Sequence, residues 1–224
     1  MSWLVNGLLG LLLVIATSAF AAAPAKPDME RGARLFDQGD PSRGIVACAS
    51  CHGAGGNSEI PVYPNLAAQP HEYLARQLHD FQIRPGATQP RRMAADSEVS
   101  VMTPMVEALT PADIQDIALY LAQQALSAPA SAALPELFEP GQRLWRAGAA
   151  DRGVPACAAC HGPNGAGLPA QYPRLAGQFS DYLKEQLTLL RSGARSNSPV
   201  MQDIAGRLTD DDIKAVADYG AGLR

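Results

Sequence analysis

The chain has 224 residues, with 18 Lys+Arg against 22 Asp+Glu, a pI near 5.5 and only 6% aromatic side chains. That length accommodates one large domain or two small ones, and the mildly acidic balance excludes the basic footprint of a nucleic-acid binder. A small domain this poor in aromatics needs a staple beyond its own side chains to bury a sufficient core.

The first element is an apolar leader. Residues 1–23, MSWLVNGLLGLLLVIATSAFAAA, hold no charged side chain. Leu8 to Ala16 forms a short apolar run, and Ala19-Phe20-Ala21 and Ala21-Ala22-Ala23 are both small-x-small cleavage sites, so a secretory signal peptide is expected. If it is retained, Trp3 to Ala23 is just long enough to span a bilayer and would associate the chain with the membrane. On either reading the remainder is exported.

From there the chain is written twice. Gly32-Ala33-Arg34-Leu35-Phe36 returns as Gly141-Gln142-Arg143-Leu144-Trp145, and Arg43-Gly44 as Arg152-Gly153. Cys48, Cys51 and His52 return as Cys157, Cys160 and His161, and Tyr63-Pro64-Asn65-Leu66-Ala67 as Tyr172-Pro173-Arg174-Leu175-Ala176. Tyr73-Leu74 and Gln77-Leu78 then match Tyr182-Leu183 and Gln186-Leu187 without a gap. Beyond Leu78 the first copy carries extra residues, most of them in RPGATQPRRMAADSEVS, before Leu109-Thr110 realigns with Leu208-Thr209. Each copy reads as helix, Cys motif, loop, amphipathic helix, loop, helix. Thr110-Pro111 and Thr209-Asp210 suit a helix N-cap and first turn, and Ile114, Ile117 and Leu121 share one helical face. The expectation is an all-α chain of two homologous domains, 24–127 and 136–224. Residues 128–135 form a small-residue linker between them.

CASCHG at 48–53 and CAACHG at 157–162 carry the chemistry. A structural zinc site needs four protein ligands, and each copy offers two cysteines and one early histidine. A thioredoxin-like dithiol needs a βαβ setting that the pattern lacks. A structural disulfide leaves the adjacent histidine unexplained. Covalent haem attachment accounts for every position: Cys48 and Cys51, and Cys157 and Cys160, bond the two vinyl groups, while His52 and His161 are held beneath iron. Two haem c groups also supply the missing apolar bulk.

CASCHGAGGNS, YPNLAAQ, YLARQL, VMTPM and LTPADIQDIALYLA, with their counterparts in the second copy, resemble the diheme class I c-type cytochromes of the cytochrome c4 family. The resemblance covers the chain after residue 23. It implies two cytochrome c-like domains related by a pseudo-twofold axis, with hydrogen-bonded haem propionates near their interface. It implies electron transfer in the periplasm rather than enzyme catalysis, commonly toward a terminal haem–copper oxidase. Redox proteins would be the donors and acceptors, among them a membrane-bound oxidase or a quinol–cytochrome c reductase; no nucleic acid or small-molecule substrate is expected. Two other roles compete: the cytochrome subunit of an oxidoreductase complex such as a flavocytochrome c sulfide dehydrogenase, and a diheme peroxidase, which needs an open iron position.

The sixth ligand decides between carrier and catalyst. After its haem motif the second copy has one methionine, Met201, and no histidine; it is expected to bind iron from a loop ahead of the last helix. In the first copy Met93, Met102 and Met105 compete. Met102 stands seven positions before Leu109, as Met201 does before Leu208, whereas Met105 aligns with Ile204 and Met93 falls in the extra segment. His71 and His79 align with Ser180 and Thr188 and are expected at the surface. Tyr63, Tyr172, Leu66 and Leu175 are expected against the haems, and Gly53 and Gly162 beside the haem edge. Residues 24–127 carry net −4 and residues 128–224 net 0, so the first haem is expected to have the lower potential.

Overall fold

The computed structural model describes residues 26–224, and the expected signal peptide lies outside them. Among the described residues no helix is long and apolar enough to cross a membrane.

Two sets of five helices follow one another. The first is α1 (Met29–Gln38), α2 (Ala49–His52), α3 (His71–Phe81), α4 (Met102–Val106) and α5 (Pro111–Ala122). The second is α6 (Phe138–Ala147), α7 (Ala158–His161), α8 (Ser180–Ser192), α9 (Pro199–Gly206) and α10 (Asp210–Gly222). The described residues contain isolated β-bridges but no strand ladder, so the all-α reading of the sequence holds.

In each set the first helix crosses the last, and glycine makes the crossing possible. A Cβ at Gly32 would stand 2.1 Å from the Asp116 carbonyl oxygen, and one at Gly141 would stand 2.4 Å from that of Ala215. Aromatic pairs flank both crossings as the sequence predicts: Phe36 on Tyr120 at 5.7 Å between ring centroids, and Trp145 on Tyr219 at 6.2 Å. Around them lie two cores. Phe36, Ile114, Ile117 and Leu121 anchor the first, and Leu144, Trp145, Val216 and Tyr219 the second. Burying side chains of this size contributes about 1.5–3 kcal/mol each.

The last helix of each set starts at the same device. Thr110 and Asp113 form a reciprocal capping box on α5, and Thr209 and Asp212 form one on α10. The same carboxylates bind Arg43 and Arg152, which ties the loop before each Cys motif to the start of the last helix. This explains why Arg-Gly and Thr-x-x-Asp recur together in the repeat. A buried aspartate then fastens each entry segment. Asp116 accepts from the Asp28 N–H at 2.7 Å, and Asp218 from the Ala133 and Leu134 N–H groups at 2.9 and 3.3 Å.

The Arg152 guanidinium, against the opposing effect of burial and with help from Thr209, holds the Asp212 carboxyl down to about 2. A carboxyl depressed from 3.8 contributes its stability above that value and loses it as the pH falls toward 2. Asp212→Asn is expected to cost about 1–2 kcal/mol near pH 7. In urea unfolding series the deficit should shrink between about pH 4 and pH 2; a deficit independent of pH would contradict the pairing.

Candidate haem sites

Each Cys-x-x-Cys-His run closes into one helical turn that ends on its histidine. Gly53 and Gly162 follow at φ +72° and +81°, a region glycine enters freely. Each N–H bonds back 3.0 Å to the carbonyl of Ala49 or Ala158. For Gly53 the close approach is to backbone, since a Cβ there would stand 1.9 Å from the Asn57 carbonyl oxygen.

No disulfide joins any two of the four cysteines. Burial pushes the Cys48 and Cys157 thiols up to about 11, so both are protonated at neutral pH. A redox dithiol needs the opposite shift; an uncharged thioether carries no such penalty. Among the described residues no three His, Cys, Asp or Glu side chains gather as a metal-binding set.

The histidines are more specific. His52 and His161 are buried, and their Nδ1 atoms lie 3.1 Å from the carbonyl oxygens of Pro64 and Pro173. A carbonyl oxygen only accepts, so Nδ1 carries the hydrogen. The lone pair is then on Nε2, and in both copies Nε2 is buried without a partner. Burial lowers both imidazole pKa values against the smaller opposing effect of the proline carbonyl, which keeps the rings neutral. An orphaned buried polar atom costs about 1–3 kcal/mol. Two of them at matching positions fit iron, which binds neutral imidazole through one nitrogen while the other donates to a carbonyl. Tyr63 and Tyr172 stand edge-on to these rings, at 6.1 and 5.7 Å between centroids. Leu66 packs on the first core beside Cys48, and Leu175 on the second beside Cys157.

The methionines differ from expectation in their setting. Met102 opens α4 and Met201 lies in the first turn of α9, where a loop was expected. Ser198 caps α9 by accepting from the Met201 N–H, and Ser100 accepts from the Met102 N–H, so each backbone position is pinned. Met102 is half-buried and packs on the same core as Cys48 and Leu66. Met105 is 43% exposed. Met93 is buried, and its N–H is used up on the Ala194 carbonyl of the second unit. Thr103, next to Met102, has the remaining buried unpartnered oxygen among the described residues. His71 and His79 are half-buried rather than exposed: His71 meets the Gln115 carbonyl and His79 the Gln82 side chain.

The segments that hold the histidines also hold the two units together. Gln69 donates to the Arg174 carbonyl at 2.7 Å and accepts from its N–H at 3.1 Å. Gln178 does the same to Asn65, at 2.8 and 2.9 Å. Asn65 and Arg174 directly follow the two prolines whose carbonyls hold the histidines. Each glutamine thus closes a pair of bonds on the backbone of the opposite copy, and the two pairs exchange under a pseudo-twofold axis. Sequence reasoning assigned roles to the tyrosines and leucines of this motif but not to Pro64, Pro173, Gln69 or Gln178. Their identity in both copies was the available signal.

The family model for cytochrome c matches residues 29–125 and 138–220. A cytochrome c4 of Azotobacter vinelandii is 40% identical over 184 residues, 80% of this chain and 85% of that protein. This chain belongs to the cytochrome c4 family. A thiosulfate dehydrogenase electron acceptor of Stutzerimonas stutzeri is 37% identical over 198 residues, 86% of each chain. The crystal structure of reduced recombinant cytochrome c4 from Pseudomonas stutzeri matches with a TM-score of 0.74 at 35% identity, over 88% of this chain and 100% of that one. The diheme cytochrome therefore carries two covalently bound haem c groups, is an electron-transfer protein rather than an enzyme, and has redox proteins as partners.

Replacing Gln69 or Gln178 with alanine leaves a backbone N–H and carbonyl without their partners, half-buried at Arg174 and buried at Asn65. Each change is expected to cost about 1–3 kcal/mol and to split a single unfolding transition into two. Scanning calorimetry checks this; one unshifted transition in both variants would contradict the proposed role of the glutamines.

Proposed function

We propose that the chain is a periplasmic carrier, released after removal of residues 1–23, that passes single electrons between respiratory-chain components and toward a terminal haem–copper oxidase. A quinol–cytochrome c reductase is a donor of suitable chemistry. The observation that carries the reading is the pair of buried, unpartnered Nε2 atoms on His52 and His161. In this assignment residues 24–127 and 136–224 are the two haem domains, and 128–135 joins them. Cys48, Cys51, Cys157 and Cys160 hold the haems through thioether bonds. His52 and His161 are the proximal iron ligands, and Met102 and Met201 the sixth.

Several features support Met102 over its neighbours. It packs beside Cys48 and Leu66, whereas Met105 faces solvent. Its repeat position matches Met201. Haem iron supplies reversible one-electron chemistry. His52 with Met102, and His161 with Met201, would hold the iron, and the chain's own contribution is to supply these side chains and to keep the imidazoles neutral and oriented. A thioether together with an imidazole would favour the reduced metal and raise the potential, which suits a carrier feeding an oxidase; with both side chains bound, the iron would lack the open position that a peroxidase needs. The more acidic first domain supports a lower potential for its haem.

A second reading places the chain as the cytochrome partner of a sulfur-compound dehydrogenase. It rests on the similarity to a thiosulfate dehydrogenase electron acceptor. Stopped-flow reduction of the purified protein by a thiosulfate dehydrogenase, compared with reduction by a quinol–cytochrome c reductase, separates the two.

Mass spectrometry of the periplasmic fraction should give a chain that begins after residue 23 and is heavier by two haems. Met102→His should lower one haem potential and leave the other near its native value, since a harder nitrogen replaces sulfur. Met105→Leu should change neither. Carbon monoxide binding to the native reduced protein, or an open first haem in Met105→Leu but not Met102→Leu, would overturn the ligand assignment.

A further inference from the structure

Two arginines lie side by side at the junction of the two units, and no carboxylate bonds to either. Among the described residues Arg92 and Arg195 are the buried arginines, 6% and 8% exposed. An isolated antiparallel bridge pairs them across the pseudo-twofold axis. It is closed by the Met93 N–H on the Ala194 carbonyl at 2.9 Å and the Ser196 N–H on the Arg91 carbonyl at 2.8 Å. The Arg92 guanidinium donates to Gln77 Oε1 at 3.2 Å, Gln186 Oε1 at 2.7 Å and the Tyr182 hydroxyl at 3.4 Å. Arg195 repeats the set with the units exchanged: Gln186 Oε1 at 2.9 Å, Gln77 Oε1 at 3.1 Å and the Tyr73 hydroxyl at 3.3 Å. It also reaches Asn197 Oδ1 at 3.1 Å. Every one of these acceptors is neutral.

The surrounding charges do not cancel the pair. The carboxylate that acts on Arg195 is Asp80, and its two oxygens are taken by Arg84 at 2.6 Å and by Asn197 Nδ2 at 3.0 Å. Arg76 lies over the Tyr73 ring, and Arg92 itself over Phe81. Arg84 and Asp80 balance each other, which leaves two uncompensated buried positive charges. Tyr73 registers them: burial alone would raise its pKa, yet Arg195 and Arg92 outweigh burial and pull it down. A guanidinium cannot shed its proton to escape such a site, and an unpaired buried charge is strongly unfavourable. The site calls for two anions.

We infer that Arg92 and Arg195 are the counter-charges of two haem propionates, one from each haem, and that they hold the haem potentials high and independent of pH. The inference rests on the two-haem reading above. The planar fork of arginine matches a carboxylate, and two cations exchanged by a pseudo-twofold axis match one propionate per haem. The location agrees as well. Gln77 neighbours Leu78, which packs on the first core with Cys48 and Met102, and Gln186 neighbours Leu187, which packs on the second with Cys157 and Ala158. Both guanidinium groups thus bond to residues adjoining the walls of the two Cys motifs.

The consequence for the iron follows from charge. A propionate paired with arginine stays ionised near neutral pH, and its negative charge is balanced. Without the arginine that charge favours ferric iron, so the potential falls. The carboxylate then takes up a proton as the pH is lowered, so the potential rises again on acidification and acquires a pH dependence.

The test uses the full haem-loaded protein and its Arg92→Gln, Arg195→Gln, Arg92→Lys and Arg195→Lys variants. Haem is first counted by mass, so that loss of the two-haem reading is seen separately. Spectropotentiometric titrations are then run from about pH 5 to about pH 8. Each glutamine variant should lower a haem potential and give it a slope with pH, and each lysine variant, which keeps the charge, should recover most of the native behaviour. Folded two-haem glutamine variants with native, pH-independent potentials would show that the arginines only brace the junction, and would overturn the inference. A crystal structure of the native haem-loaded protein decides the matter even if the variants fail to fold. A propionate oxygen within hydrogen-bond distance of each guanidinium is expected; guanidinium groups with only Gln, Tyr and Asn partners would overturn it.

Discussion

The hydrogen bond from a histidine Nδ1–H to a proline carbonyl, made once in each half of the chain, is the interaction on which the rest depends. It fixes the tautomer of His52 and His161 and leaves Nε2 as a bare lone pair in a buried, neutral ring. Neither residue type announces this alone. A histidine after a Cys-x-x-Cys pair is oriented because the chain returns twelve residues later with a backbone acceptor, Pro64 or Pro173. Proline has no N–H of its own to satisfy there and a restricted φ to hold the carbonyl in place.

With His52 and His161 as the proposed iron ligands, the same bond would link iron chemistry to assembly of the two units. Pro64 is followed by Asn65, whose N–H and carbonyl are both taken by Gln178; Pro173 is followed by Arg174, taken in the same way by Gln69. A shift of one unit against the other therefore pulls on the carbonyls that orient both histidines. The junction is polar along this seam and continues into the Arg92 and Arg195 pair. Neutral partners alone leave that pair costly, so the junction is more demanding than the two apolar cores it joins. It gives a physical reason for joining two small haem units in one chain: each completes the hydrogen bonding of the other.

Much of this was legible in the sequence. The repeat, the helical class, the Cys-x-x-Cys-His motifs and the aromatic pairs at the helix crossings follow from residue types at fixed spacing, which side-chain patterns record. What was not legible lies mostly in the backbone. The acceptors for the histidines and for the bridging glutamines are carbonyls and N–H groups, and these have no residue signature. The arginine pair escaped for another reason. The extra residues of the first copy fall on both sides of Arg92, so neither repeat offset aligns it with Arg195, and only the bridge between them shows the correspondence. Met201 was expected in a loop ahead of the last helix; instead Pro199 occupies the first turn of α9, where its missing N–H costs nothing.

A diheme carrier needs rigid, water-free ligands and little else, and the histidine tautomer is where that requirement is most exposed to test. The direct measurement is nitrogen NMR of the reduced, haem-loaded protein labelled with ¹⁵N in its histidine rings. In both His52 and His161, Nδ1 should carry a slowly exchanging proton coupled to a carbonyl acceptor, and Nε2 should carry none. A proton on Nε2 of either ring, or a bare Nδ1, would contradict the account.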